Sequence, residues 1–242
     1  MIPVKDNIPG ELTPIVLRLI IALNILVFLF EISLSTQIRS ALFHIFGVVP
    51  ARYFFPEWAA AAGYPRQIIL PLFSYMFLHG GWLHLIFNIW TLWIFADNVE
   101  DATGHLKFLI FYILCGVIAA LVQIIFNSDS SVPVIGASGA IAGIMGGYLV
   151  LYPHAKILTL FPIIIIPYFI NLPAGLFLAV WFVIQIFSGI FDSLSGASQG
   201  VAWGAHIGGF LAGALLINLF ADKKNCKYCY IKENKRYEKK VS

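Results

Sequence analysis

Five polar or ionisable side chains in this sequence lie inside long apolar runs: His84, Asn88, Ser138, Gln185 and His206. A serine hydroxyl is a weak nucleophile until a base takes its proton, and a histidine within hydrogen-bond reach is the usual base. Acyl transfer also needs donors for the developing oxyanion. A histidine, an asparagine amide and the free N–H groups of a helix start can supply them. All of these parts are present. An acid to complete a triad is not, because the runs holding Ser138 and His206 contain no Asp or Glu and the nearest is Asp192. A Ser–His dyad is therefore the better reading.

The spacing supports convergence. His84 and Asn88 are four apart and share a helix face, whereas His79, five before His84, is rotated away toward the helix entrance. Ser138 opens a helix in Gly136-Ala137-Ser138-Gly139, and Gly139, Gly143 and Gly147 continue it as a small-residue stripe. Ala202, Ala205, His206, Gly209 and Gly213 form a second stripe. Small stripes let helix backbones approach closely, so these two helices are expected to pack with Ser138 opposite His206.

The elements that must hold these residues follow from composition. Of 242 residues, 60% are hydrophobic and 11% charged, against roughly 45–50% and 25% in ordinary soluble domains. That excludes a soluble globular protein. The apolar runs are too long, and too apolar on every face, for the short alternating segments of a β-barrel. Three cysteines, one of them (Cys115) in an apolar run, exclude a disulfide scaffold. The expected class is all-α: a polytopic membrane protein with six transmembrane helices.

The first run, about 15–34, follows a mixed-charge start and reads as a retained helix, not a cleaved signal. Further spans are expected at about 81–96, 106–126, 137–152, 172–190 and 201–220. The apolar segment Leu160–Asn171 carries Pro162 and Pro167 and reads as a short interfacial or re-entrant connection. The chain thus divides into residues 1–34 with the first helix, an outer interfacial loop 35–71, a five-helix core 72–220 and a basic tail 221–242. Six spans put both termini on one side, with Lys5, Arg18, Lys107, Lys156 and eight tail cations, against Arg39, Arg52 and Arg66 on the other. The excess of positive charge predicts that both termini are cytoplasmic. Spans two, four and six then begin at the outer surface, and a site near their starts opens to the extracellular or periplasmic side.

With these residues in place, the sequence resembles the rhomboid intramembrane serine proteases. His79-Gly-Gly-Trp-Leu-His84-Leu-Ile-Phe-Asn88, Gly136-Ala-Ser138-Gly139 and Ala205-His206-Ile-Gly-Gly209 match that family's three signatures, in order and on the expected spans. Gly47-Val-Val-Pro-Ala-Arg52 and Asp97-Asn-Val-Glu-Asp101 resemble bacterial members as well, and the likeness runs from about Pro71 to Phe220. The resemblance implies a rhomboid-like bundle and cleavage of transmembrane proteins within or beside their membrane-spanning helices. It also implies Ser138 as nucleophile, His206 as general base, and His84 with Asn88 as oxyanion stabilisers. In some members a Tyr one turn after the nucleophile stacks on the catalytic histidine. Here Ala142 holds that position, so other groups must brace His206.

No metal or organic cofactor is required. The expected partners are single-span or other transmembrane substrates and membrane lipids, the latter through the lysine-rich tail, with no nucleic acid. Gln185 reads as a packing residue between helices, with a role as gate or substrate contact the lesser reading. His44, His105 and His154 read as solvated, and Cys226 and Cys229 as free thiols. Asp97, Glu100 and Asp101 read as caps that tie loops together. The outer loop Phe191–Gly200 is the expected gate for substrate. Two other classes compete. A catalytically silent relative that binds membrane helices is opposed by intact Ser138 and His206, and a small transporter would show internal inverted repeats, which are not visible.

Overall fold

A computed structural model of the chain describes residues 1–163, 166–195, 201–222, 226, 228–231 and 236–237. Long helices occupy each expected span: α1 (Ile15–Ser33), α6 (Trp82–Thr103), α7 (His105–Phe126), α8 (Ser138–Leu151), α9 (Ala174–Ser195) and α10 (Trp203–Phe220). Short helices α2 (Thr36–Phe46), α3 (Ala51–Phe54), α4 (Pro56–Ala61) and α5 (Pro71–Ser74), with a 3₁₀ turn at Tyr75–Phe77, fill the stretch between the first two spans. Helices α1, α7, α9 and α10 are each long and apolar enough to cross a bilayer.

Helix α8 is different. Its 14 residues extend about 21 Å, less than the roughly 30 Å of a hydrocarbon core. From Gly139 to Tyr148 it is buried by its neighbours, so it is the central pillar of the bundle. Its contact with α10 is backbone on backbone. A Cβ on Gly209 would overlap the Gly139 carbonyl, one on Gly213 the Gly143 carbonyl, and one on Gly146 the Phe210 carbonyl. Gly139, Gly143, Gly209 and Gly213 of the predicted stripes make this contact, joined by Gly146, whereas Gly147 faces the side chains of Phe111 and Ile217.

One end of the bundle gathers the amino terminus, the α6–α7 turn and the segment after α10. The Glu100 carboxylate accepts N–H groups of Val16 and Leu17 at 3.0 and 2.9 Å, capping the first turn of α1. Asp101 accepts from Glu11 and Leu12 at 2.6 and 2.8 Å. Asp6 accepts from the Tyr148 hydroxyl and from Asn98. Asp222 N–H reaches the Ala102 carbonyl at 2.8 Å, and Tyr228 donates to Glu11. The amino-terminal segment and the described residues just after α10 therefore meet at one end of the bundle.

At the other end, the buried Arg52 guanidinium holds the segment between α1 and α6 together. It donates to the carbonyls of His44, Ile45, Pro65 and Gln67 at 3.1–3.3 Å and lies over the Tyr64 ring.

Several expectations are corrected. The segment Leu160–Asn171, read as a short interfacial or re-entrant connection without assigned secondary structure, lies within an antiparallel hairpin, β2 (Lys156–Ile163) and β3 (Ile166–Pro173), joined by β1 (Ile2–Lys5) in a three-stranded sheet. Its β-branched and aromatic run favours strand. Pro162 and Pro167 face each other in the register, so neither interrupts a longer ladder. His105 and His44 are not merely solvated: His105 Nδ1 lies 2.5 Å from Glu100, and His44 Nδ1 lies 2.6 Å from the Tyr64 hydroxyl. Cys226 and Cys229, read as free thiols, stand close together, with Cα atoms 5.4 Å apart. Of the expected gate loop, residues 191–195 belong to α9, and residues 196–200 lie outside the described residues. So do Lys223, Lys224, Lys227, Lys232, Lys235, Lys239 and Lys240 of the tail. In a terminal pair of two-residue strands, β4 (Tyr230–Ile231) lies antiparallel to β5 (Arg236–Tyr237).

Two predictions follow from this packing. Gly213→Ala forces α8 and α10 apart and is expected to cost about 1–3 kcal/mol, read as a lower midpoint of thermal unfolding in detergent. Gly10→Ala, whose new Cβ would make only ordinary contacts with Asp97 and Asp101, leaves the midpoint unchanged. The second concerns Asp6, whose carboxyl burial pushes up from the usual 3.8 to about 7, against the lowering effect of the Tyr148 hydrogen bond. A carboxyl raised in the folded state contributes stability that is fully present below its unfolded pKa and is lost as pH rises through its folded value. Asp6→Asn should therefore gain on the parent protein between pH about 4 and about 7, with the difference level above that; a difference independent of pH would refute this account.

Candidate active site

Four elements deliver the polar side chains to one place. Helix α6 carries His84 and Asn88 on successive turns of one face. Gly136 stands between this face and the start of α8, with φ of +119°, a conformation only glycine adopts readily. A Cβ there would lie 2.5 Å from His84 Nε2 and 3.6 Å from Asn88 Nδ2, so the Gly136 backbone is packed directly against both side chains. The Gly136 N–H donates to the Tyr75 carbonyl at 2.8 Å, and Val134 exchanges two backbone hydrogen bonds with Val48 at 2.7 and 3.0 Å. The approach to Ser138 is thus pinned to the 3₁₀ turn and to the Gly47–Arg52 segment.

Ser138 is the first residue of α8, where the opening N–H groups have no partner within the helix. Across the glycine contact, His206 sits in the first turn of α10. Its Nε2 lies 2.8 Å from Ser138 Oγ. Its other nitrogen, Nδ1, lies 2.8 Å from Oε1 of Gln185 on α9. The imidazole is flanked by the rings of Trp181 and Trp203, each with its centroid 6.0 Å away. Trp203 is itself held, its indole N–H donating to Asp192 Oδ2 at 2.6 Å. Asp192, the nearest acid in sequence, therefore acts on the tryptophan and not on the histidine. These three groups brace the ring where Ala142 leaves no aromatic to do so.

Of the sequence-predicted residues, the structure brings Ser138 and His206 into hydrogen-bond contact and sets His84 and Asn88 beside the Gly136 backbone two residues away. Asn88 Nδ2 is buried and has no hydrogen-bond partner among the described residues. A buried amide left unmade is costly unless something else fills the position. His79 is buried at the entrance to α6, its ring edge-on to His84 at 5.1 Å. Its backbone N–H donates to the Glu31 carboxylate, and burial, with His84 nearby, holds its pKa down at about 4.

Two glutamines carry more than the sequence reading assigns them. Gln123 on α7 accepts the Ala205 N–H through Oε1 at 3.1 Å, capping the start of α10 immediately before His206. Gln185, read as packing, touches the histidine itself. The signal in both cases was an amide in an otherwise apolar span, which marks a partner without naming it.

A hydroxyl and an imidazole at 2.8 Å, a helix start and an unfilled amide donor form an arrangement able to hold a nucleophile, take its proton and receive an oxyanion. Comparison with known proteins agrees with the fold that carries it. A sequence model of the Rhomboid domain matches residues 66–223. The Putative rhomboid protease YdcA of Bacillus subtilis is 36% identical over 110 residues, 41% of this chain and 55% of that protein. The Rhomboid protease GlpG of Yersinia pseudotuberculosis is 30% identical over 152 residues, 63% of this chain and 48% of its own length. Rhomboid-like protease 5 of Toxoplasma gondii is 30% identical over 148 residues, 58% of this chain and 15% of that protein. The chain spans less than two thirds of the length of each of these relatives. With the domain matched over more than half its length and a helical membrane bundle built around it, this chain belongs to the rhomboid family.

Proposed function

We propose that this protein is an intramembrane serine endopeptidase that cuts transmembrane proteins within or near their membrane-spanning helices. The observation that carries the reading is the 2.8 Å approach of Ser138 Oγ to His206 Nε2 across two helices whose backbones touch through glycines. In this reading Ser138 Oγ attacks the scissile carbonyl carbon while its proton passes to His206 Nε2. The carbonyl oxygen becomes an oxyanion, received by His84, by Asn88 Nδ2 and by the N–H groups opening α8. Collapse expels the amine, which takes the proton from His206 and leaves an acyl-enzyme at Ser138. Water then attacks the ester, again losing its proton to His206, and release of the acid returns that proton to Ser138.

The short α8 makes the hydrolytic step physically reasonable. In this reading the start of α8 lies inside the bilayer's thickness but near one face, where water can collect without crossing the core. The charge bias supports a topology with both termini in the cytoplasm and the site opening on the extracellular or periplasmic side. Helix α9, whose Val183, Ile184, Phe187 and Phe191 are exposed, is the wall past which a substrate helix would reach Ser138.

Ser138→Ala and His206→Ala should each abolish cleavage of a model single-span substrate and covalent labelling by a fluorophosphonate, with thermal unfolding unchanged. A Ser138→Ala protein that still cuts would move the chemistry elsewhere. His84→Ala or Asn88→Ala should lower turnover by up to roughly 10²–10³-fold with little change in substrate docking; full turnover in both would remove them from the oxyanion site.

A further inference from the structure

Gln185 is 5% exposed and its carboxamide has two partners. Nε2 donates to the Trp181 carbonyl, one turn back on α9, at 3.1 Å, and Oε1 lies 2.8 Å from His206 Nδ1. A carbonyl can only accept, so the amide nitrogen must point to Trp181 and the amide oxygen to the imidazole. An oxygen facing Nδ1 in turn requires that Nδ1 carry the ring proton. In a neutral imidazole the other nitrogen is then bare, and that nitrogen is the one 2.8 Å from Ser138 Oγ. Turned the other way, the amide would set its oxygen against the Trp181 carbonyl and its N–H against Nδ1. The proton would shift to Nε2 and point at the serine oxygen, and the ring could no longer accept the Ser138 proton.

We propose that Gln185 is the positioning residue of this site: it fixes His206 in the tautomer and orientation that present a bare Nε2 to Ser138. The proposal rests on the Ser138–His206 reading and extends it. It assigns to a neutral amide the orienting part of the work that a buried aspartate performs in soluble triads. An amide suits a membrane interior better than a carboxylate, which would carry an uncompensated charge whenever the imidazole is neutral. The Trp181 ring also flanks His206, so α9 holds the base at two points one turn apart.

The test uses the full chain purified in detergent. Ring ¹⁵N resonances of His206 in the unmodified protein should report a proton on Nδ1; a proton on Nε2 overturns the proposal without any variant having to fold. Gln185→Leu should slow fluorophosphonate labelling of Ser138 and lower kcat on a single-span substrate by roughly 10–100-fold, a fraction of what a general base contributes, with KM nearly unchanged. Gln185→Glu, which keeps an acceptor in place, should restore most of the rate and move the acid limb of the kcat/KM profile to higher pH by stabilising the imidazolium. Labelling of Gln185→Leu at the parental rate with the parental pH profile, or a Gln185→Glu protein as slow as Gln185→Leu, would refute the role while leaving the dyad standing. Absence of labelling at Ser138 in the unmodified protein would instead remove the dyad, and this role with it.

Discussion

The contact between the backbones of α8 and α10 is the constraint on which the site depends. Two helices with ordinary side chains between them sit 8–10 Å apart. At that spacing a serine and a histidine on facing first turns have no assurance of meeting. Here Gly139, Gly143 and Gly146 on one helix and Gly209 and Gly213 on the other remove the intervening Cβ atoms. With no hydrophobic driving force between helices in lipid, close packing is the main source of association. The same glycines therefore hold the bundle together and set the distance between Ser138 and His206.

Everything else around the site restricts motion that this contact permits. The imidazole still has to be turned correctly, and α9 does that from one side through Trp181 and Gln185 while Trp203, tied to Asp192, does it from the other. Ser138 has to be presented at a helix start, and Gly136, held by Tyr75 and backed by the Val48–Val134 bridge, fixes the chain just before it. Arg52 then freezes the segment between α1 and α6 from which Val48 comes. The rigid part of the molecule is the part that aligns small groups. The exposed apolar surface of α9 lies on the side away from that alignment.

The polar residues in apolar spans, the four-residue step from His84 to Asn88 and the two small-residue stripes were visible in the sequence because each is a local pattern. Hydropathy alone located all six helices but cut α6 short: residues 97–103, placed beyond the span, continue the helix. What the sequence could not disclose depends on partners distant along the chain. Gln185 looks like any interhelical amide until α10 supplies His206, and the strand character of 156–173 is masked because its residues are as apolar as those of a span. Pairing of that hairpin with Ile2–Lys5 has no local signature at all. The pairing of His105 with Glu100 was hidden for the opposite reason: charged residues near a loop default to solvent, and only the docking of α1 on Glu100 shows that this carboxylate is enclosed.

Strand β1 has a consequence for assembly. Residues 2–5 leave the ribosome long before Leu158–Leu160, their partners in the sheet. They leave just as far ahead of Tyr148 and Lys156, which bind the next two residues through Asp6 and Asn7. During insertion the strand edge of the amino-terminal segment must wait for its partner while four helices are threaded into the bilayer, with only Trp90 and Asn98 of α6 there to bind it earlier. Its docking onto the hairpin then closes over the foot of α8. The sheet thus works as a late latch in biogenesis, able to engage only once the central helix has been delivered to its place, and a protein stalled before that point would display an open strand edge to the quality-control machinery of the cell.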